Sequence, residues 1–157
     1  MGNYKFGKRS LENIEQLHPL LQEILHKALE TSPHDFGIHC GYRSVETQYE
    51  YYQQGRTKPG NVITWIDGIT KRGYHNYSPS LAFDFHCSVK GNMWDAERKE
   101  VDGDPAYLVE IAEHILEVAF QEFGIELVWG GQWNNKDYPH IQLPQIFKKH
   151  AEIEKLY

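Results

Sequence analysis

Cysteine is almost absent. Cys40 and Cys87 are the only two in 157 residues, too few for the disulfide framework of a small secreted scaffold, and both are expected as reduced, partly buried thiols. Long apolar runs are missing as well: no stretch approaches the ~20 residues needed to span a bilayer. The basic N-terminal segment MGNYKFGKRSLENIEQLH lacks the apolar region that would follow it in a secretory signal. The expectation is a soluble chain, without membrane insertion, that stays in the cytosol where it is made. Clustered positive charge is the third absence. The formal net charge is −6 with acidic and basic side chains dispersed, whereas a nucleic-acid footprint needs Lys and Arg gathered together. No nucleic-acid partner is therefore expected, and the densest basic group, Lys148, Lys149 and His150, reads as a solvated helix face. Repeats, low-complexity tracts and linkers are also lacking. Residues 1–157 are expected to form one domain, large enough to bury roughly 68–70% of its unfolded surface.

What the chain has in quantity is histidine, at nine residues, and aromatic side chains, at 13%. Tyr and Trp combine large contact area with a polar handle, which suits a groove for a peptide or sugar, although a core position is the default for any one of them. Leu17, Leu20, Leu21, Ile24, Leu25 and Ala28 follow helical spacing, with Pro19 in the first turn of a helix running to about Glu30. Ser10 is placed to cap a shorter helix over Leu11 to Gln16. A strand is expected over Asp35 to Cys40, then a helix between a Ser44 cap and Gly55. Residues 55–74 are rich in Gly and read as a long loop, and loops beyond ~12–15 residues in a compact domain are usually functional. Leu81 to Cys87 is a second strand. Asp104-Pro105 is expected to open a helix, with Asp104 as cap and Pro105 at the first helical position, whose periodic apolar set Leu108, Ile111, Ala112, Ile115, Leu116, Val118, Ala119 and Phe123 stops at Gly124. Short strands are expected at Leu127 to Trp129 and His140 to Gln142. The order implies an α+β fold, with helices packed on a small, mainly antiparallel sheet.

Asp84 lies between Phe83 and Phe85 in a strand that otherwise reads as buried. An unpaired carboxylate there would go neutral, whereas a divalent cation would compensate its charge. His75, Asp84 and His140 supply nitrogen and oxygen donors of the kind that hold a catalytic zinc through three protein ligands. Each also has a structural alternative: His75 capping the loop, Asp84 paired with an arginine, His140 as a satisfied core histidine.

Three segments in order, GYRSVETQYEYYQQGRTKPG at 41–60, YHNYSPSLAFDF at 74–85 and WGGQWNNKDYPHIQL at 129–143, resemble the peptidase M15 family of zinc peptidases that cut peptidoglycan stem peptides. The likeness extends over nearly the whole chain, to about residue 147, and is nearest to the phage-type L-alanyl-D-glutamate endopeptidases. It implies the M15 or hedgehog-like zinc peptidase fold, with Zn2+ held by His75, Asp84 and His140. It also implies Asp137 as general base, Arg43 facing the developing oxyanion and, with less direct correspondence, Gln48 as a substrate-facing polar side chain one helical turn on. Zinc so held lowers the pKa of water toward ~7, with Asp137 taking the proton and returning it to the leaving amine. Two departures stand out. Gly73 occupies the place of the commoner serine, and eight residues rather than six separate His75 from Asp84, a spacing that resembles a phage-type variant.

The resemblance therefore implies an L-alanyl-D-glutamate peptidase acting on the stem peptide. It further implies a monomeric endolysin without a separate wall-binding domain, which accumulates in the host cytoplasm and reaches the periplasmic wall once the membrane is permeabilised. Within the family the alternative is a D-Ala-D-Ala carboxypeptidase or dipeptidase. Outside enzymes it is a non-catalytic zinc-stabilised peptidoglycan-binding module, against which Asp137 and Arg43 speak, because a structural zinc site needs neither. Trp129, Gly130, Gly131 and Trp133 are candidates for a groove wall, and Trp129 serves equally well as core.

Overall fold

The structure, a computed structural model, describes residues 3–88, 105–150 and 152–153. Helix α1 spans Lys8–Ile14 and α2 spans Pro19–Glu30. Ser10 does not cap α1. The helix starts earlier, after Gly7, and Ser10 sits buried inside it with its hydroxyl accepting from the Ile38 amide at 3.0 Å. A hydroxyl that reaches a strand amide satisfies a buried donor, which outweighs its local preference for a cap. Pro19 opens α2 as expected, capped by the His18 side chain, whose Nδ1 accepts from Leu20 N.

Strand β1 (Phe36–Cys40) leads to α3 (Val45–Gln53), capped by Ser44, whose hydroxyl accepts from Thr47 N at 3.1 Å. The long loop follows and ends in a turn of 3-10 helix at Tyr74–Asn76. Next come β2 (Tyr77–Ser78) and β3 (Ala82–Cys87). Helix α4 covers Ala106–Phe123, with Pro105 at the cap position rather than the first helical one; Asp104 lies outside the described residues. Gly124 ends α4 in the left-handed region at φ 68°, where the lack of Cβ removes the steric cost. Strands β4 (Val128–Trp129), β5 (His140–Gln142) and β6 (Glu152–Ile153) complete the order.

The main sheet runs β1-β3-β5-β4 with every pairing antiparallel, and β2 pairs with β6 in a separate two-stranded sheet. This is the expected α+β architecture. Strand β3 is central, so its residues alternate between two buried faces. Phe83 and Phe85 enter the core with Phe36, Ile38 and Ile141, and all five are at most 1% exposed. Phe85 meets Phe36 edge-on, with ring centroids 6.4 Å apart. Phe85→Ala should cost about 3–5 kcal/mol, as expected for an aromatic ring removed from a closed core. Urea denaturation checks this, and a loss below about 1 kcal/mol would mean that this face is not tightly packed.

The opposite face carries Asp84. Cys40 and His140 lie directly across from it on the neighbouring strands. Between Ile38 and Cys40 the β1 register shifts by one residue, with Ile38 opposite Phe85 and Cys40 opposite Asp84. That bulge moves Cys40 onto the Asp84 side. Cys87 faces the core on the other side, and neither cysteine is in a disulfide.

Candidate metal centre

Pleating answers why Asp84 stands between two phenylalanines: they point into the core and it points away, toward His75 and His140. The three side chains converge from three elements. His75 Nε2 and His140 Nδ1 each lie 3.4 Å from Asp84 Oδ1, and they are 3.2 Å from one another. Ligands at zinc's ~2.0–2.1 Å distance for nitrogen and oxygen sit about 3.3 Å apart at tetrahedral vertices. The spacing of this trio fits such an ion.

The outer nitrogens fix the rings. His75 Nδ1 donates to the Gly41 carbonyl at 2.7 Å, and His140 Nε2 donates to Gln142 Oε1 at 2.8 Å. Each imidazole therefore turns its other nitrogen toward Asp84, the nitrogen that a metal ion would take once it is deprotonated. Gln142 was not among the residues singled out from the sequence, but the alternation of β5 puts it on the same face as His140, and that was the available signal. Among the described residues, Cys40, His75 and Asp84 also form a group able to hold a metal ion, with ligand atoms within 4.8 Å. Cys40 Sγ lies 3.9 Å from His75 Nδ1, the nitrogen already given to Gly41. The two inward nitrogens with Asp84 are the tighter set.

The electrostatics follow from burial. Desolvation would lower the His75 pKa, but the Asp84 charge and hydrogen bond outweigh it and push it up to about 10. Desolvation likewise works to raise Asp84, while the charge of His75 and hydrogen bonds from both imidazoles hold it well below the ordinary carboxylate range.

Arg43 is paired with Asp84, its Nη2 donating to Oδ2 at 3.2 Å. The sequence alternative of an arginine partner for Asp84 is realised beside the histidine cluster. Arg43 Nη2 also reaches Cys40 Sγ at 3.5 Å, and Nη1 donates to Gln48 Oε1 at 3.0 Å. Gln48 was expected to face substrate. It is instead 2% exposed, and its amide donates to Ile66 O at 2.9 Å and Thr64 Oγ1 at 3.2 Å. Gln48 therefore positions Arg43 and fastens the long loop to α3.

Asp137 borders the cluster on the turn that leads into β5. Its amide donates to Gly130 O at 2.9 Å, and its carbonyl accepts from His140 N at 3.2 Å. A Cβ on Gly130 would stand 2.4 Å from the Asp137 carbonyl oxygen, so this close approach requires glycine. The Asp137 side chain keeps solvent contact, yet the protein crowded around its carboxyl, and then the Asp84 charge, raise its pKa. A carboxyl biased toward accepting a proton suits a base near neutral pH. The orienting contact to His140 comes from Gln142. Trp133, 37% exposed, lines the rim with its ring centroid 5.2 Å from that of His140. Trp129 belongs to the core at 5% exposure, and its indole donates to Tyr138 O at 2.8 Å.

Comparison with known proteins gives a consistent set of matches. The profile of the family described as phage L-alanyl-D-glutamate peptidase matches residues 1–154. The peptidoglycan L-alanyl-D-glutamate endopeptidase CwlK of Bacillus subtilis is 35% identical over 133 residues, covering 81% of this chain and 73% of CwlK. The L-alanyl-D-glutamate peptidase of Escherichia phage T5 is 27% identical over 142 residues, 90% of each chain. Among solved structures, the Serratia marcescens L-Ala D-Glu endopeptidase ChiX superposes with a TM-score of 0.66 at 26% identity, over 92% of this chain and 93% of that one.

Proposed function

The chain belongs to the phage L-alanyl-D-glutamate peptidase family, and from that membership we propose that it hydrolyses the L-alanyl-D-glutamate bond of peptidoglycan stem peptides. The observation that carries the reading is the convergence of His75 Nε2, Asp84 Oδ1 and His140 Nδ1 at 3.2–3.4 Å, with Asp137 and Arg43 at the border. Zinc held by these three would supply a Lewis acid that polarises the scissile carbonyl and acidifies water. Asp137 accepts the proton of the attacking water and delivers it to the departing amine of D-glutamate, so it needs both protonation states near neutral pH. Arg43 presents a fixed positive charge to the oxygen on which negative charge develops. Its pairing with Asp84 and Gln48 holds that charge in place beforehand, so little reorganisation accompanies the reaction. Trp133 gives the cleft an apolar wall beside His140.

The proposal extends to biology. A phage relative supports a role as endolysin, a monomer that gathers in the host cytoplasm and meets the periplasmic wall after the inner membrane is permeabilised. No helix among the described residues is long and apolar enough to cross a membrane.

Digestion of purified peptidoglycan, with and without chelator, tests the reaction. New D-glutamate amino termini that vanish with chelator and return with zinc are expected. Release of D-alanine or D-alanyl-D-alanine instead would assign the chain to the other branch of its wider family, and intact peptidoglycan with metal bound would leave a binding module.

A further inference from the structure

The long loop presents apolar side chains to solvent in a fixed pose. Trp65 is 70% exposed, Ile63 54% and Val62 41%, beside Tyr51 of α3 at 40%. An indole this exposed has no folding role that burial would explain. It is nevertheless held from behind. The Arg56 guanidinium lies 3.8 Å from the Tyr52 ring centroid and 5.5 Å from that of Trp65. Its Nη1 donates to Tyr52 O at 2.6 Å and its Nη2 to Thr64 O at 3.1 Å. Thr64 and Ile66, the residues on either side of Trp65, are the two that Gln48 grips while its oxygen holds Arg43. Tyr51 in turn lies under Arg43, 5.0 Å from guanidinium carbon to ring centroid. A chain of stacked planes and hydrogen bonds thus joins the oxyanion-facing arginine to an open indole.

The chemistry of the substrate says what that platform meets. In peptidoglycan the L-alanine of the stem peptide is joined directly to the lactyl group of an amino sugar. Only one residue, at most ~3.6 Å of chain, separates the scissile bond from the glycan strand. An enzyme that cuts there must accommodate sugar at the edge of its cleft. Sugar rings offer a flat face of C–H groups to an aromatic plane and a rim of hydroxyl and amide groups to a guanidinium, and Trp65 and Arg56 provide that pair. Free stem peptide has no such ring.

We infer that Tyr51, Arg56 and Trp65 form a subsite for the glycan strand that carries the scissile stem peptide. This rests on the peptidase reading above and deepens it, because it makes the linked saccharide part of the recognised substrate.

The test compares cleavage of a disaccharide-linked tetrapeptide with cleavage of the same tetrapeptide without sugar, in wild type, Trp65→Ala and Trp65→Phe. The preference for the linked substrate should fall about tenfold in Trp65→Ala, mostly through KM, as for one lost aromatic contact, and should be largely kept in Trp65→Phe. An equal fall on both substrates, leaving the ratio unchanged, overturns the subsite and assigns Trp65 to loop structure. A second readout does not depend on turnover: in an NMR titration with a peptide-free tetrasaccharide of the glycan strand, the Trp65 indole N–H signal, identified by its loss in Trp65→Ala, should shift. No shift at millimolar saccharide overturns the proposal even if the L-alanyl-D-glutamate bond is cut. A shift without cleavage upholds the subsite while the peptidase reading fails.

Discussion

Asp84→Ala is expected to yield a protein that retains no metal ion, cleaves no peptidoglycan and is less stable than its parent even when both are stripped with chelator. The first two effects come from the ligand trio, since two imidazoles without the carboxylate leave an incomplete site with less charge to hold a dication. The third comes from Arg43. The side chains of Arg43 and Asp84 are 16% and 13% exposed, and removing the carboxylate leaves a largely buried guanidinium without its directly paired carboxylate among the described residues. Breaking one side of a buried pair costs about 3–5 kcal/mol. Metal content by mass spectrometry and urea unfolding in chelator measure the two parts separately. A variant that keeps one zinc per chain would remove Asp84 from the ligand set, and unchanged stability in chelator would mean that solvent already compensates Arg43.

Asp137→Ala should behave in the opposite manner with respect to metal. Its side chain reaches solvent, and the contacts among the described residues that hold the turn, Asp137 N to Gly130 O and His140 N to Asp137 O, are backbone bonds that alanine preserves. Zinc content and stability are therefore expected to stay close to those of the parent, while kcat falls by ~10²–10⁴, the range for a positioned general acid and base. Asp137→Asn gives a companion measurement, because it keeps shape and removes only the ability to accept a proton. Turnover within a few-fold of the parent in either variant would take the proton-transfer role away from Asp137.

Much of this arrangement was legible beforehand, for physical reasons that differ by element. Helix α2 and helix α4 carry long periodic apolar sets, and periodicity over several turns is a strong signal. Strand β3 was recognisable by its apolar run, and Asp84 stood out because a carboxylate between two phenylalanines demands compensation. The roles of Ser10 and Gln48 were not legible. Ser10 caps nothing because the strand amide it satisfies lies 28 positions away in sequence, and Gln48 turns inward to a loop whose path no local pattern dictates. In both cases a long-range hydrogen bond decided the role, and local propensity carries no information about such bonds. Gln142 was hidden differently: its alternation with His140 was visible, but which ring nitrogen needed a partner became clear only from the geometry.

The one-residue shift in β1 acts on the cluster as an offset in parity. Along a regular strand, odd and even positions keep their sides for good. The extra residue at His39 exchanges them, so the stretch that follows the bulge, with Cys40, the Gly41 carbonyl that orients His75, and Arg43, arrives on the side where Asp84 waits. Were β1 to run without it, Cys40 would oppose Phe83 in the core, and the carbonyl and guanidinium beyond it would begin from the wrong side of the sheet. Straightening β1 with its residue count kept is thus unlike trimming a loop: it would leave His75, Asp84 and His140 in the sequence and turn away the Gly41 carbonyl that orients His75 and the Arg43 guanidinium that pairs with Asp84.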